Sequence, residues 1–262
     1  MSKNKGEKVK FTTDILIFSV STSEAESCRR LPEKNFSILL VKRSMEPFIN
    51  KWCLPGGFVS ENETSKQASD RILIKETNLH NIYKEQLYTF DEVNRDPRGR
   101  IISTAYMALV DRTKITDELD TDAEWFNINV KENSETINIK LESSNETIQY
   151  SAKKISKDKT TKEFEYEIID NKDLAFDHPL MIIMGILRLR QKARNTDIIF
   201  NIMPKYFTLG ELQQVYEIIL DRKFLEAAFR RTIESKVKKT DQFIKTGGHR
   251  PSALFKYNEK GN

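Results

Sequence analysis

Cysteine pairs, long apolar runs and an early charge imbalance are all missing from this chain. The two cysteines, Cys28 and Cys53, show no metal-type spacing, so free thiols and a cytoplasmic location are expected. No stretch approaches the roughly 20 apolar residues that cross a bilayer, which argues against a membrane role. The opening MSKNKGEKVK is basic but runs into a short β-like segment with no small-residue cleavage site, so no signal peptide is expected. What remains is a soluble globular balance, with 38% hydrophobic and 31% charged residues, and 262 residues allow one large domain or two modest ones.

The net charge of +4 becomes informative once it is located. From Asn195 onward there are 12 Lys and Arg against 8 Asp and Glu, so the rest of the chain is neutral. Residues 222–256 are the most biased, with 10 basic side chains against 3 acidic. An excess confined to one segment points to an anionic partner, nucleic acid first; a solvated basic face has the same composition.

Residues 11–20 and 36–43 read as strands, rich in Ile, Leu, Phe and Val. Pro and paired glycines make 52–58 a turn, and 64–77 carries Ala68, Ile72 and Leu73 at helical spacing, with Asn78 as its stop. Residues 87–93 and 101–110 flank a Gly-containing basic turn and predict a hairpin. From 127 to 170 apolar and polar residues alternate, predicting short half-exposed strands at an elaborated sheet edge. Asp177 is expected to cap a helix with Ile182, Ile186 and Leu189 on its inner stripe; His178 reads as a surface or first-turn residue and His80 as a loop residue.

The last quarter is organised differently. A short apolar segment at 198–203 ends at Pro204, and Thr208-Leu-Gly-Glu211 is a capping box. It opens a helix with Leu212, Val215, Ile218 and Ile219 inward. After a break at 221–224, a second helix at 225–235 puts Phe229 and Ile233 inward and Arg230 and Arg231 outward. Two alternating stretches around 237–244 and 253–257 follow, joined by Gly247-Gly-His-Arg-Pro251. Helix, turn, basic helix and a hairpin with a basic tip is the order of a winged helix-turn-helix.

Gly57, Glu63 and Arg71 stand at the spacing that opens the Nudix box, and Glu76 and Leu79 fall at its later positions. With the Leu-Pro-Gly-Gly-Phe entry, this resembles a Nudix hydrolase fold, in which glutamates of the box helix converge on magnesium bound to a pyrophosphate. The register is kept and the ligands are not. Where the family pattern carries carboxylates this chain has Ile72 and Lys75, and Glu63 is as well placed to pair with Arg71 as to bind metal. No catalytic residues, no metal site, no cofactor and no hydrolysis are therefore expected.

Over nearly its whole length the sequence resembles the Nudix-related transcriptional regulators, bacterial proteins that join a Nudix-like sensor to a winged helix. The residues carrying this are the altered box, Arg95-Asp-Pro-Arg-Gly-Arg100, Leu174-Ala-Phe-Asp-His178, Phe207-Thr-Leu-Gly-Glu-Leu-Gln213, Phe229-Arg-Arg231 and Arg250-Pro251. The resemblance implies an α+β chain, a Nudix α/β/α sandwich over 1–194 followed by a small winged helix-turn-helix over 195–262. It implies a homodimeric repressor of NAD-related metabolism, released from double-stranded operator DNA by ADP-ribose or a similar phosphorylated metabolite. The alternatives are a sugar-catabolism regulator answering to a sugar phosphate, and an active pyrophosphohydrolase. Effector contacts are expected from Arg43, Phe48, Trp52, Gly56, Gly57, Arg95, Arg98 and Arg100, because guanidinium groups suit phosphate and aromatic rings suit a base. The same arginines could pair with surface acids instead, and Phe48 and Trp52 could be core. DNA contacts are expected from Lys223, Arg230, Arg231, Lys236, Lys238, His249 and Arg250.

Overall fold

A computed structural model of the chain describes residues 8–23, 32–115, 120, 122–158, 160, 163–245 and 251–259. Its strands follow from the apolar runs. In β1 (Lys10–Thr22) the four consecutive residues Ile15, Leu16, Ile17 and Phe18 are all fully buried, so this strand is covered on both faces. β2 (Lys34–Lys42) and β6 (Ile101–Val110) carry similar runs. The short strands β3 (Trp52–Cys53) and β4 (Gly56–Phe58) pair with β2 and β1, and β5 (Tyr83–Phe90) precedes β6. The predicted hairpin between β5 and β6 is present, since the two are neighbours in the sheet.

The alternating segment forms β7 (Ala123–Glu132), β8 (Thr136–Glu142), β9 (Thr147–Asp158) and β10 (Glu163–Asp170). The sheet order is β10-β9-β8-β7-β2-β1-β6-β5, so these four strands build one side of it as an antiparallel meander. Their alternation has its cause in burial: Ile137, Ile139, Leu141, Ile148, Tyr150 and Ala152 are buried while the residues between them are not.

The box helix is α1 (Ser65–Thr77), bounded as its sequence predicts. Thr64 and Gln67 form a capping box, and Asn78 ends the helix in the left-handed region at φ 53°. α2 (His178–Asn195) begins where expected, directly after Asp177. Its backbone carbonyl accepts from Leu180 and Met181, while its carboxylate is held by Arg95.

Contact density divides the chain into two units: Met1–Ile17, Ile38–Ala108 and Asp117–Gly185 in one, Phe18–Ser37, Leu109–Thr116 and Ile186–Asn262 in the other. Within the second unit, a 3₁₀ turn (Ile198–Asn201) leads into α3 (Leu209–Leu220) and α4 (Glu226–Ile233). Asp221, at φ 49°, stops α3, and the Glu217 carboxylate accepts the Phe224 N–H across the break. Phe229 anchors α4, edge-on to Tyr216 at 5.5 Å between ring centroids. The expected helix at 225–235 is shorter in fact: Glu234–Lys236 form a 3₁₀ turn leading into the ribbon of β11 (Val237–Ile244) and β12 (Ser252–Tyr257). Phe207 pairs with Phe255 across a β-bridge, and Asp197 accepts from both Lys236 and Tyr257, at 2.6 and 3.1 Å, tying the ribbon to the start of the unit. His249 and Arg250, expected at the ribbon's tip, lie outside the described residues, as does Cys28.

The capping box at Thr208 is complete. Glu211 N–H donates to Thr208 Oγ1 at 3.2 Å, and Thr208 N–H donates to Glu211 Oε2 at 2.9 Å. Burial by itself would raise the Glu211 pKa, but the Thr208 amide and the Lys34 ammonium outweigh it, so the carboxyl titrates below its ordinary range. A group with a depressed folded pKa stabilises above its unfolded pKa, and this contribution is lost as pH falls through the folded value. Thr208→Ala is expected to cost about 1 kcal/mol. Glu211→Gln should melt below the wild type at pH 7, with the gap closing below about pH 4.3, the unfolded glutamate value. Thermal melts of both variants between neutral and acid pH check this, and a gap that is constant with pH would contradict the assignment.

Candidate functional site

The Pro-Gly-Gly turn brings backbone unusually close to β1. Gly56 pairs with Asp14, and a Cβ on it would stand 2.1 Å from Asp14 Oδ1 and 3.0 Å from the Thr13 carbonyl. Only glycine fits there. A Cβ on Gly57 would meet nothing nearer than Ile72 Cδ1 at 3.8 Å, an ordinary contact.

Asp14 is a charged residue buried in the middle of an apolar strand, and such a group needs partners. Ser103 Oγ donates to its Oδ2, with Arg95 Nη2 3.9 Å from the same oxygen. His178 Nε2 lies 3.7 Å from Oδ1. Leu54 N–H donates to His178 Nδ1 at 2.9 Å, which leaves the ring proton on Nε2, facing Asp14. Burial pushes the His178 pKa down, with Arg95 and Arg43 adding to this against the pull of Asp14 and Asp177. The imidazole is accordingly neutral at physiological pH. Arg95, its side chain only 3% exposed, makes a bidentate pair with Asp177 at 2.8 and 2.6 Å.

Above this floor opens a cavity of about 250 Å³. Its mouth is cationic and aromatic. The Arg98 guanidinium stands 5.3 Å from the Phe58 ring centre and 5.4 Å from that of Phe176, and it is fastened to Asp96 at 3.0 and 2.7 Å. The Arg43 guanidinium stands 4.9 Å from the Phe176 ring centre and donates to the Pro47 and Met45 carbonyls at 2.7 and 3.3 Å. Phe176 holds a left-handed backbone at φ 54°, a conformation that costs about 1–3 kcal/mol for a bulky residue and collects at binding sites.

Of the expected effector residues, Arg43, Gly56, Gly57, Arg95 and Arg98 line this cavity together. Phe48 does not; it packs edge-on against Phe176 from behind, 4.8 Å between centroids. Trp52 is core, 5% exposed, with its indole N–H on Glu146 at 2.7 Å and its ring against Phe126. Arg100 turns away and donates to the carbonyls of Asp91 and Glu92. His178, read as a surface or first-turn residue, does open the first turn of α2 but is buried in the floor. Asp14 was missed, although an acid inside the run Phe11-Thr-Thr-Asp-Ile-Leu-Ile is itself a signal, because a central strand buries whatever it carries.

The box residues also take defined places. Glu63 and Arg71 form an exposed ion pair at 2.5 Å; hydrogen bonds from Arg71 first and the Ser60 amide next hold the Glu63 pKa at about 2. Ile72 is buried core. Lys75 Nζ sits 2.9 Å from Glu76 Oε1 and 3.6 Å from Asp120 Oδ2, and Glu76 Oε2 is buried with no hydrogen-bond partner. A magnesium ion needs several oxygen ligands. One box carboxylate with an ammonium against it does not fit that requirement. Among the described residues no cluster of three His, Cys, Asp or Glu side chains suits a metal.

The basic side chains of the second unit divide in the same way. On α4, Leu225 (82% exposed), Ala227 and Ala228 are open to solvent beside Arg230 and Arg231. Arg230 pairs with Glu226 at 2.5 Å, and Arg231 donates to the Ala227 carbonyl. Lys223, 90% exposed, meets Glu217 at 2.9 Å. Lys236 is tied to Asp197, as above, whereas Lys238 stands opposite Lys256 on the ribbon.

Two family models match the chain: a NUDIX domain over residues 27–140 and an NrtR DNA-binding winged helix domain over residues 199–257. The ADPR responsive transcriptional repressor NtrR of Acinetobacter baylyi is 32% identical over 94% of this chain and 81% of its own length. An ADP-ribose pyrophosphatase of Methanocaldococcus jannaschii is 33% identical over 48% of this chain and 76% of its own. The crystal structure of Shewanella oneidensis NrtR complexed with a 27mer DNA superposes with a TM-score of 0.65 at 26% identity, covering 96% of this chain and 94% of that one. No helix in the described residues is long and apolar enough to cross a membrane. With a NUDIX domain and an NrtR winged helix matched in that order, and a repressor 32% identical across 94% of the chain, this protein belongs to the NrtR family of Nudix-related transcriptional repressors.

Proposed function

We propose that this protein is a DNA-binding repressor of NAD-related genes, whose cavity binds ADP-ribose or a similar phosphorylated ribose without cleaving it. The reading is carried by the likeness to an ADP-ribose-responsive repressor across both halves of the chain. The cavity agrees with it: cationic and aromatic groups at the mouth suit a diphosphate joined to a base, and the metal carboxylates are reduced to one. We place sensing in residues 1–194 and DNA contact in 195–262, the latter enclosing the winged-helix match. The binding set becomes Arg43, Arg98, Phe58, Phe176 and the Gly56-Gly57 turn, with Asp14, Arg95 and His178 as the framework behind it. In the cytoplasm, a homodimer reading a near-palindrome is the working assembly.

On the DNA side, Arg230, Arg231, Lys223 and Lys238 remain directed to solvent, and His249 and Arg250 stay in the set on the sequence alone. Lys236 is removed from it, because Asp197 holds its ammonium. Ligand and DNA are linked by a difference in affinity between two states of the protein.

The hydrolase reading has one observation in its favour, the partial likeness to an ADP-ribose pyrophosphatase. Against it stand Ile72 and Lys75, because cleavage needs a bound ion to activate water. Purified protein given ADP-ribose and magnesium is expected to release no AMP. Steady release that Glu76→Gln abolishes would overturn this.

For DNA, Arg230→Ala or Arg231→Ala should weaken operator binding by about 1–3 kcal/mol where the arginine reads a base, and less where it touches phosphate. Log affinity should fall linearly with log salt as counterions are released. An affinity indifferent to both variants and to salt would remove α4 from the interface.

For the effector, ADP-ribose titrated with and without operator DNA should differ in affinity by about five- to 150-fold, with the reciprocal effect on DNA binding. Arg98→Ala should weaken the ligand. Equal affinities in the presence and absence of DNA would leave the cavity without a regulatory role.

A further inference from the structure

The cations around the cavity are unequally available. Arg95 gives its Nε and Nη2 to Asp177, Arg98 is fastened to Asp96 by the same two nitrogens, and Arg43 donates to two backbone carbonyls. Lys75 is different. It lies in the last turn of α1, lines the same cavity, and its side chain is 63% exposed. Its ammonium bridges Glu76 Oε1 and Asp120 Oδ2, and beside it the second Glu76 oxygen is buried without a partner. A positive charge held between two carboxylates at a cavity wall is the arrangement that, in a metal site, the ion itself would occupy.

We propose that the Lys75 ammonium is a built-in cation that takes the place of a divalent ion in binding the diphosphate of a nucleotide ligand. This rests on the reading of the cavity as a phosphorylated-ribose site and extends it. An ammonium has three donors; Glu76 takes one and Asp120 stands 3.6 Å away, beyond hydrogen-bond reach, so donors are left for a phosphate oxygen. Its hydrogen bond to the Glu76 carboxylate is foremost in holding the lysine pKa above its ordinary value, so the charge persists through the physiological range. A tethered single charge differs from magnesium in two ways. It needs no free ion, so binding does not depend on metal supply. It also carries no coordinated water to activate, so the ligand is held and not cut.

The test is calorimetric titration of the full chain with ADP-ribose, in chelator and in millimolar magnesium, for the wild type, Lys75→Met and Lys75→Arg. Thermal melts confirm that the variants fold, which the exposure of Lys75 favours. Wild-type affinity is expected to be the same in both buffers. Lys75→Met should bind at least tenfold more weakly in chelator, about 1.4 kcal/mol. Lys75→Arg, which keeps the charge, should stay closer to the wild type than Lys75→Met does. Wild-type binding that collapses on chelation, or a Lys75→Met affinity equal to wild type, overturns the inference and leaves the cavity reading standing. No ADP-ribose binding by the wild type in either buffer overturns the cavity reading, and the inference falls with it.

Discussion

One carboxylate sets the terms for the cavity. Asp14 lies within a strand whose following four residues are fully buried, and an unpaired charge there would be expensive. Each neighbour of Asp14 answers that demand. Ser103 donates to it, Arg95 and His178 stand within 4 Å, and Gly56 gives up its side chain so that the turn can close against it. Arg95 then requires Asp177, which fixes the start of α2, and His178 is locked in turn by the Leu54 amide. The 91–100 loop, the Pro-Gly-Gly turn and the head of α2 are thereby drawn to one point. The groups at the mouth stand on that framework, which explains why the most buried of the cavity's arginines, Arg95, is the least suited to reach a ligand.

How much of this was legible follows from range along the chain. The ends of α1 and α3 could be read in advance because Thr64, Asn78, Thr208 and Glu211 act on amides a few residues away. The meander was legible because alternation in β8 and β9 is the local image of a one-sided burial. The floor was not. Ser103 reaches Asp14 across 89 residues and Arg95 reaches Asp177 across 82, and no periodicity marks either pairing. Trp52 and Arg100 were misplaced for the same reason: residue type gave their chemistry, but only tertiary packing decides whether it faces a cavity or a neighbour such as Glu146. The box was an intermediate case. Its register told which carboxylates were lost, while the turn of Lys75 toward Glu76 came from geometry.

The second unit uses its charge economically. Its surplus of basic residues was legible as a number, but several belong to the fold. Lys236 and Tyr257 share Asp197, and Glu226 answers Arg230 one helical turn away. An exposed i,i+4 pair of that kind is worth only about 0.3–0.5 kcal/mol, so it is easily exchanged for a stronger anion. The open alanines of α4 keep its surface low, which lets the helix approach another surface closely while the flanking arginines reach past it.

Lys238 and Lys256 stand opposite each other on the two strands of the ribbon. Like charges directly opposite each other destabilise a strand pair. The ribbon is therefore spring-loaded against itself, and any polyanion laid along it acts as the missing counter-charge. Mobile salt does the same, less selectively, by screening the pair. Ionic strength therefore acts on the ribbon itself, because screening the pair weakens the repulsion between its strands.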